Sequence, residues 1–250
     1  MMIAITYHCS AGCPHCMSDC QPDNSHMTLD ILKSSLQWLK AHDIKEMIMI
    51  TGGEPLEHPD ILEVMKEVNE KFPGLIVLTT NGYHFNDEIM NFLRKKRKFL
   101  VQVTNDKRYY RSYTKEELQY LSPFRVETVE GFYPQGRALK NFPDSDWATK
   151  APKCINARLL VKQGYTDLTT LIKTLMSIGK FCTPVITPTG DIKIGESKLC
   201  PAVGNIFSDD SLIIKNIRNS VCNGCEIPKN ILARNNPVAY GLAFGGKNLG

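Results

Sequence analysis

The sequence predicts an α/β chain, a parallel β-sheet covered by helices, followed by a small cysteine-bearing C-terminal part. Three observations carry that prediction. Short apolar runs at 2–7, 47–50, 75–78, 99–103 and 124–129 alternate with stretches of helical period. Each run is nearly continuous rather than alternating, as in strands buried on both faces of a parallel sheet. The unusual residues fall at the C-terminal ends of these runs, where (β/α) barrels and doubly wound sheets build their sites.

Each element follows in order. The run at 2–7 ends directly at Cys9, as a strand delivering a loop. Thr28 and Asp30 then cap a helix whose apolar face runs Leu29, Leu32, Leu36, Leu39. The next strand, 47–50, stops at Thr51-Gly52-Gly53-Glu54-Pro55, and a helix follows with Pro59 in its first turn and Ile61, Met65 and Val68 on one face. The strand at 75–78 ends in Thr79-Thr80-Asn81-Gly82, a helix spans 87–96, and the strand at 99–103 ends in Thr104-Asn105-Asp106. A helix at 114–121 precedes the fifth strand. Residues 131–152 read as an irregular loop on the active face, 157–161 as a sixth strand, and Leu168, Leu171, Ile172, Leu175 and Met176 mark a further helix. Beyond Cys182 the pattern changes, with 184–186 and 192–194 flanking the turn Thr187-Pro188-Thr189-Gly190-Asp191. The expected division is therefore 1–180 and 181–250.

With 250 residues, 42% apolar and 22% charged, the chain can bury a sizeable core. A net charge of +4 argues against nucleic acid as a partner in the absence of a localised patch. The cationic run 94–98 lacks interleaved aromatics and reads as a solvated helix end. No charged and apolar leader precedes Ile3, and no apolar run approaches the roughly 18 residues of a membrane span. The expectation is a cytoplasmic protein with no membrane segment, whose nine cysteines stay reduced. Reduced cysteine clusters read as metal ligands or catalytic groups before they read as disulfides.

Cys9, Cys13 and Cys16 have three and then two residues between them. One short loop of this spacing can wrap three thiolates around a metal centre and leave a coordination position open. Structural zinc sites prefer four closed ligands, whereas iron–sulfur clusters are held by thiolates. Spacing alone leaves zinc, a thiol-redox loop and a cluster open, and Cys20 could also enter. In Gly52-Gly53-Glu54 the glycines allow close backbone approach to a ligand and the carboxylate can accept from a cationic amino group, although a tight turn explains the same residues. Thr104 and Asn105 suit a ribose diol, or a strand-end Asx turn; Thr80 and Asn81 are weaker candidates on the same face. Arg137 could clamp a carboxylate bidentately, or be a solvated loop arginine. Cys182, Cys200, Cys222 and Cys225 could hold a second cluster or a zinc ribbon. Cys154 could take the place of Cys182.

The cysteine loop after the first strand, followed by Gly52-Gly53-Glu54-Pro55 after the second, resembles the radical S-adenosylmethionine superfamily. His15 stands where that family commonly has an aromatic residue. The resemblance implies a partial (β/α)6 TIM-type barrel over 1–180. It further implies a [4Fe-4S] cluster on Cys9, Cys13 and Cys16 whose free iron is chelated by S-adenosylmethionine, with Gly52, Gly53, Glu54, Thr104, Asn105 and Arg137 around the cofactor. Reduction of the bound cofactor yields methionine and a 5′-deoxyadenosyl radical, which abstracts a hydrogen atom from substrate. An electron donor such as flavodoxin or ferredoxin is implied.

Gly136-Arg137-Ala138 and the C-terminal cysteines are similar to members carrying the shortened "twitch" form of the SPASM domain. There Cys182, Cys200, Cys222 and Cys225 would hold an auxiliary [4Fe-4S] cluster able to accept an electron from the substrate. Members of this kind mostly modify ribosomally synthesised peptides or proteins by cross-linking, epimerisation or dehydrogenation. The alternative substrate is a small metabolite, in a dehydrogenase or bond-forming reaction, favoured by the absence of a peptide-recognition domain ahead of residue 3. The reading from another class is a non-enzymatic zinc protein.

Overall fold

A computed structural model describes residues 1–23, 25–105, 111–128, 136–142, 157–178, 183–196 and 200–220. The strands are β1 (Met2–Thr6), β2 (Met47–Gly52), β3 (Leu75–Thr80), β4 (Phe99–Asn105), β5 (Arg125–Thr128), β6 (Val185–Ile186), β7 (Asp191–Lys193) and β8 (Ala202–Asn205). They form one sheet in the order β5-β4-β3-β2-β1-β6-β7-β8. The first five strands and β6 are parallel, and β7 and β8 extend the β6 edge as an antiparallel hairpin and return. In register, Ile3 faces Ile50, Ile50 faces Leu78, and Leu78 faces Val101. All four are buried on one face, and the consecutive residues Ile3, Ala4 and Ile5 of β1 and Ile76, Val77 and Leu78 of β3 are buried too, so the continuous apolar runs serve both faces of the sheet.

The helices are α1 (Leu29–Ala41), α2 (Ile61–Lys71), α3 (Asp87–Arg94), α4 (Lys115–Leu121), α5 (Arg137–Asn141), α6 (Ala157–Lys162), α7 (Leu168–Ile178) and α8 (Asp210–Asn219). Local chemistry starts several of them. Thr28 Oγ1 accepts from Ile31 N at 3.3 Å, Asn86 Oδ1 accepts from Ile89 N at 2.9 Å, and Thr114 with Glu117 forms a reciprocal capping box. Leu32, Leu36 and Leu39 of α1 and Ile61, Met65 and Val68 of α2 are buried, as their helical spacing requires. Pro59 lies ahead of the N-cap Asp60 rather than inside the first turn of α2.

Residues 157–161 belong to a helix, not to the sixth strand that the sequence suggests. The segment Ala-Arg-Leu-Leu-Val-Lys consists mostly of strong helix formers, and Ala157, Leu160 and Val161 recur at i, i+3, i+4 and are buried. The sixth parallel strand is β6, and it joins the sheet beside β1 rather than beyond β5. The hairpin turn is as expected: Thr187 N donates to Asp191 O at 2.9 Å, and Gly190 adopts φ +81°. Ile213, Ile214 and Ile217 of α8 pack into the same apolar core as Leu160, Val161 and Leu171. Among the described residues no helix is long and apolar enough to cross a membrane.

Candidate active site

Parallel strands bring the C-terminal ends of β1 to β4 to one edge. There a cavity of about 310 Å³ is lined by Cys9, Cys13, Cys16 and Cys20 from the loop after β1, by Thr51 to Glu54 at the end of β2, and by Thr80, Asn81 and Thr104 from β3 and β4. Glu196, which follows β7, completes the wall.

Gly52 and Gly53 line the cavity and also meet a steric demand from β1. A Cβ at Gly52 would lie 2.0 Å from Thr6 O, and one at Gly53 would lie 2.0 Å from His8 O. Their close approach is therefore to the exit of β1. Gly53 N donates to Thr6 O and Glu54 N to His8 O, each at 2.8 Å, which welds the start of the cysteine loop to the end of β2.

Glu54 is 1% exposed. Its carboxylate accepts from Thr80 Oγ1 at 2.6 Å, Asn81 N at 2.7 Å and Leu56 N at 3.0 Å, tying β2 to β3. Burial pushes its pKa up to about 7 against the opposing pull of these three bonds. A carboxylate offers about four acceptor positions, so with three in use Glu54 keeps one for a cationic ligand group.

Cys9 and Cys13 are buried and Cys16 is half-buried. Cys9 N donates to Gln21 O and Cys16 N to Cys13 O, each at 3.2 Å, giving the loop a fixed course. Burial pushes the Cys9 thiol up to about 12, while a hydrogen bond from the Cys20 thiol holds Cys16 down at about 5. Cys20 N also donates to Cys16 Sγ at 3.4 Å, and the Cys20 thiol reaches Gly52 O at 3.8 Å. Among the described residues no three His, Cys, Asp or Glu side chains converge as a site for a single metal ion. Cysteine thiols that share one cavity but converge on no single-ion site fit a thiolate-bound cluster better than a closed four-ligand zinc site.

Arg137 is not a solvated loop arginine: its Nε lies 3.6 Å from Asp19 Oδ1 and its side chain is largely buried. It opens α5, and its Nε donates to Cys13 O at 3.1 Å, its Nη2 to Cys20 O at 2.6 Å and its backbone N to Cys16 O at 2.9 Å. Asn141 Nδ2 adds a bond to Pro14 O at 2.8 Å. Gly136, at φ +56°, lets α5 settle here, because a Cβ would lie 2.4 Å from Met17 O. Arg137→Ala is expected to loosen the loop by ~1–3 kcal/mol, read as faster amide exchange confined to residues 13–20; unchanged exchange there would contradict this role.

Thr104 lines the cavity and donates through Oγ1 to Thr80 O at 3.2 Å. Asn105 is buried, and its Oδ1 accepts no hydrogen bond from the described residues. Of the C-terminal cysteines only Cys200, half-buried, is described. Asp106, Cys154, Cys182, Cys222, Cys225 and most of 131–152 lie outside the described residues.

Glu196 carries no motif signal. Its Oε1 accepts from Thr51 Oγ1 at 3.3 Å, and burial, followed by the nearby Cys16 sulfur, pushes its pKa up to about 7. This folded value exceeds the unfolded one near 4.5, so the fold binds the proton more tightly. The resulting stability is complete below the unfolded pKa and is lost as pH rises through about 7. In urea titrations of the metal-free protein between pH 4 and 8, Glu196→Gln is expected to flatten this decline by up to about 3 kcal/mol. Parallel wild-type and variant curves would refute it.

Residues 3–117 match the model of the Radical SAM superfamily. Over 95 residues it is 34% identical to GTP 3′,8-cyclase of Clostridium perfringens (strain SM101 / Type A), covering 36% of this chain and 29% of that protein. It is 29% identical over 104 residues to the antilisterial bacteriocin subtilosin biosynthesis protein AlbA of Bacillus subtilis (strain 168), covering 41% and 23%. The chain thus spans less than a third of the length of these curated relatives. In structure it is similar to Streptococcus suis SuiB bound to precursor peptide SuiA, with a TM-score of 0.53 at 15% identity over 88% of this chain and 66% of that one.

Proposed function

We propose that Cys9, Cys13 and Cys16 hold a [4Fe-4S] cluster, that S-adenosylmethionine lies against Gly52, Gly53, Glu54 and Thr104, and that the substrate is a ribosomally synthesised peptide undergoing oxidative modification. The observation that carries this reading is the meeting of the three thiols and the Gly-Gly-Glu turn, from adjacent strand ends, in one cavity of about 310 Å³. When bound, cluster and cofactor supply reductive carbon–sulfur cleavage and a 5′-deoxyadenosyl radical for hydrogen abstraction. The chain's residues supply place. Glu54 fixes the β2 and β3 ends and keeps one acceptor for an amino group, and Arg137 holds the loop.

The name of AlbA and the peptide in the SuiB complex support a peptide substrate. The second reading, a small metabolite of the nucleotide class, is favoured by the likeness to GTP 3′,8-cyclase. We further propose an auxiliary [4Fe-4S] cluster on Cys182, Cys200, Cys222 and Cys225 in a C-terminal part 181–250, an electron donor such as flavodoxin or ferredoxin, and a cytoplasmic setting. Asn105 remains a candidate for the cofactor's ribose.

Anaerobic purification with iron and sulfide counting tests this together with a cofactor-cleavage assay. About eight irons per chain are expected, four for each cluster. Cys9→Ala should abolish cleavage, whereas Cys222→Ala should retain cleavage and lose the substrate reaction. Cleavage surviving in Cys9→Ala would overturn the assignment of the loop.

A further inference from the structure

Beside the first cysteine, one buried carboxylate gathers donors from two other strand exits. Glu57 closes the 3₁₀ turn Pro55–Glu57 after β2, and its side chain is 7% exposed. Ser10 N donates to both of its oxygens at 3.1 Å, and Ser10 Oγ to Oε1 at 2.9 Å. His8 Nε2 lies 3.0 Å from Oε2, and His84 Nε2, from the segment after β3, lies 3.1 Å from Oε1. His8 and Ser10 are the immediate neighbours of Cys9 in sequence. The carboxylate thus grips the chain on both sides of a proposed cluster ligand.

We propose that Glu57 is a positioning residue that fixes the Cys9 limb of the loop and, through its charge, makes a cluster held there harder to reduce. The inference rests on the functional reading above, since it concerns the cluster. A charge whose side chain is 7% exposed is screened less by solvent and salt than one on the open surface. Reduction adds an electron, so a fixed negative charge nearby opposes it, and cluster potentials respond to net charge and hydrogen bonding. The comparison is made at a pH of about 9.5, well above the imidazole range, so that removal of the charge is not offset by imidazole protons and makes the surroundings more positive by one unit.

The test compares wild type, Glu57→Gln and His84→Lys after anaerobic reconstitution with iron and sulfide, following the midpoint potential by EPR-monitored titration. The signal that disappears in Cys9→Ala identifies the relevant cluster. Both variants are expected to be reduced at a more positive potential. Glu57→Gln deletes the charge, and His84→Lys offsets it from a side chain that is 39% exposed, leaving the carboxylate in place. Should Glu57→Gln fail to fold, His84→Lys alone decides. A wild-type potential in a folded variant that keeps its iron overturns the inference and leaves the functional reading intact. A wild-type chain that takes up no cluster on these cysteines sinks the functional reading, and this inference with it.

Discussion

Alanine at position 53 is expected to dislodge the cysteine loop. Its Cβ would lie 2.0 Å from His8 O, 2.6 Å from His8 C and 2.9 Å from Tyr7 C, all main-chain atoms. They have no free direction of retreat, because Glu54 N holds His8 O and Gly53 N holds Thr6 O. Relief requires breaking the weld between the two strand exits, at ~3–5 kcal/mol. Urea denaturation of the metal-free protein should show that loss, and amide exchange should speed up at residues 7–16. Gly12→Ala is the control. Gly12 has φ +60°, but a Cβ there would meet no atom within 4 Å, so only the left-handed backbone penalty of ~1–2 kcal/mol applies. Equal losses in the two variants would show that backbone conformation, not collision, governs the site.

Truncating Glu54 is expected to be comparably severe for an electrostatic reason. Glu54→Ala leaves Thr80 Oγ1, Asn81 N and Leu56 N without their acceptor in a buried place, a loss of ~3–5 kcal/mol. Glu54→Gln keeps one acceptor oxygen but turns an NH₂ toward a donor, and should fall between wild type and alanine. The measurement is again denaturant unfolding, with exchange at residues 80–82 reporting the freed β3 end. If Glu54→Ala cost less than ~1 kcal/mol, the bonds would be replaceable by solvent and the carboxylate would be principally a ligand-binding group.

Much of the frame is legible in the sequence because it rests on local pattern. The continuous apolar runs yield β1 to β5, the helical spacing yields α1, α2 and α7, and the Thr-Pro-Thr-Gly-Asp turn yields the β6–β7 hairpin. Strand order is another matter. Nothing near Val185 states that it will lie beside Met2, and the apolar residues of 157–161 suit either a strand or a short buried helix.

The site divides in the same way. Cysteine spacing and the Gly-Gly-Glu turn are contiguous and can be read directly. The roles of Glu57, Arg137 and Glu196 arise from contacts 47, 124 and 145 positions apart, and no local window contains them. The glycine pair shows the reverse limit: the need for close approach is legible, but what approaches is set by the packing of β1.

The pairing of β1 with β6 sets an order of events during synthesis. The cysteine loop leaves the ribosome well ahead of β6, and the strand that carries it gains its second neighbour only when Val185 and Ile186 arrive. Glu196, the last described contributor to the cavity wall, follows them. Such distant pairing closes late, after the local βα units have formed. Iron reaching the nascent chain meets thiols on a strand with one neighbour, in a pocket lacking a wall. The cysteine loop, translated well before the strand that completes its frame, is thus among the last parts of the described fold to be finished.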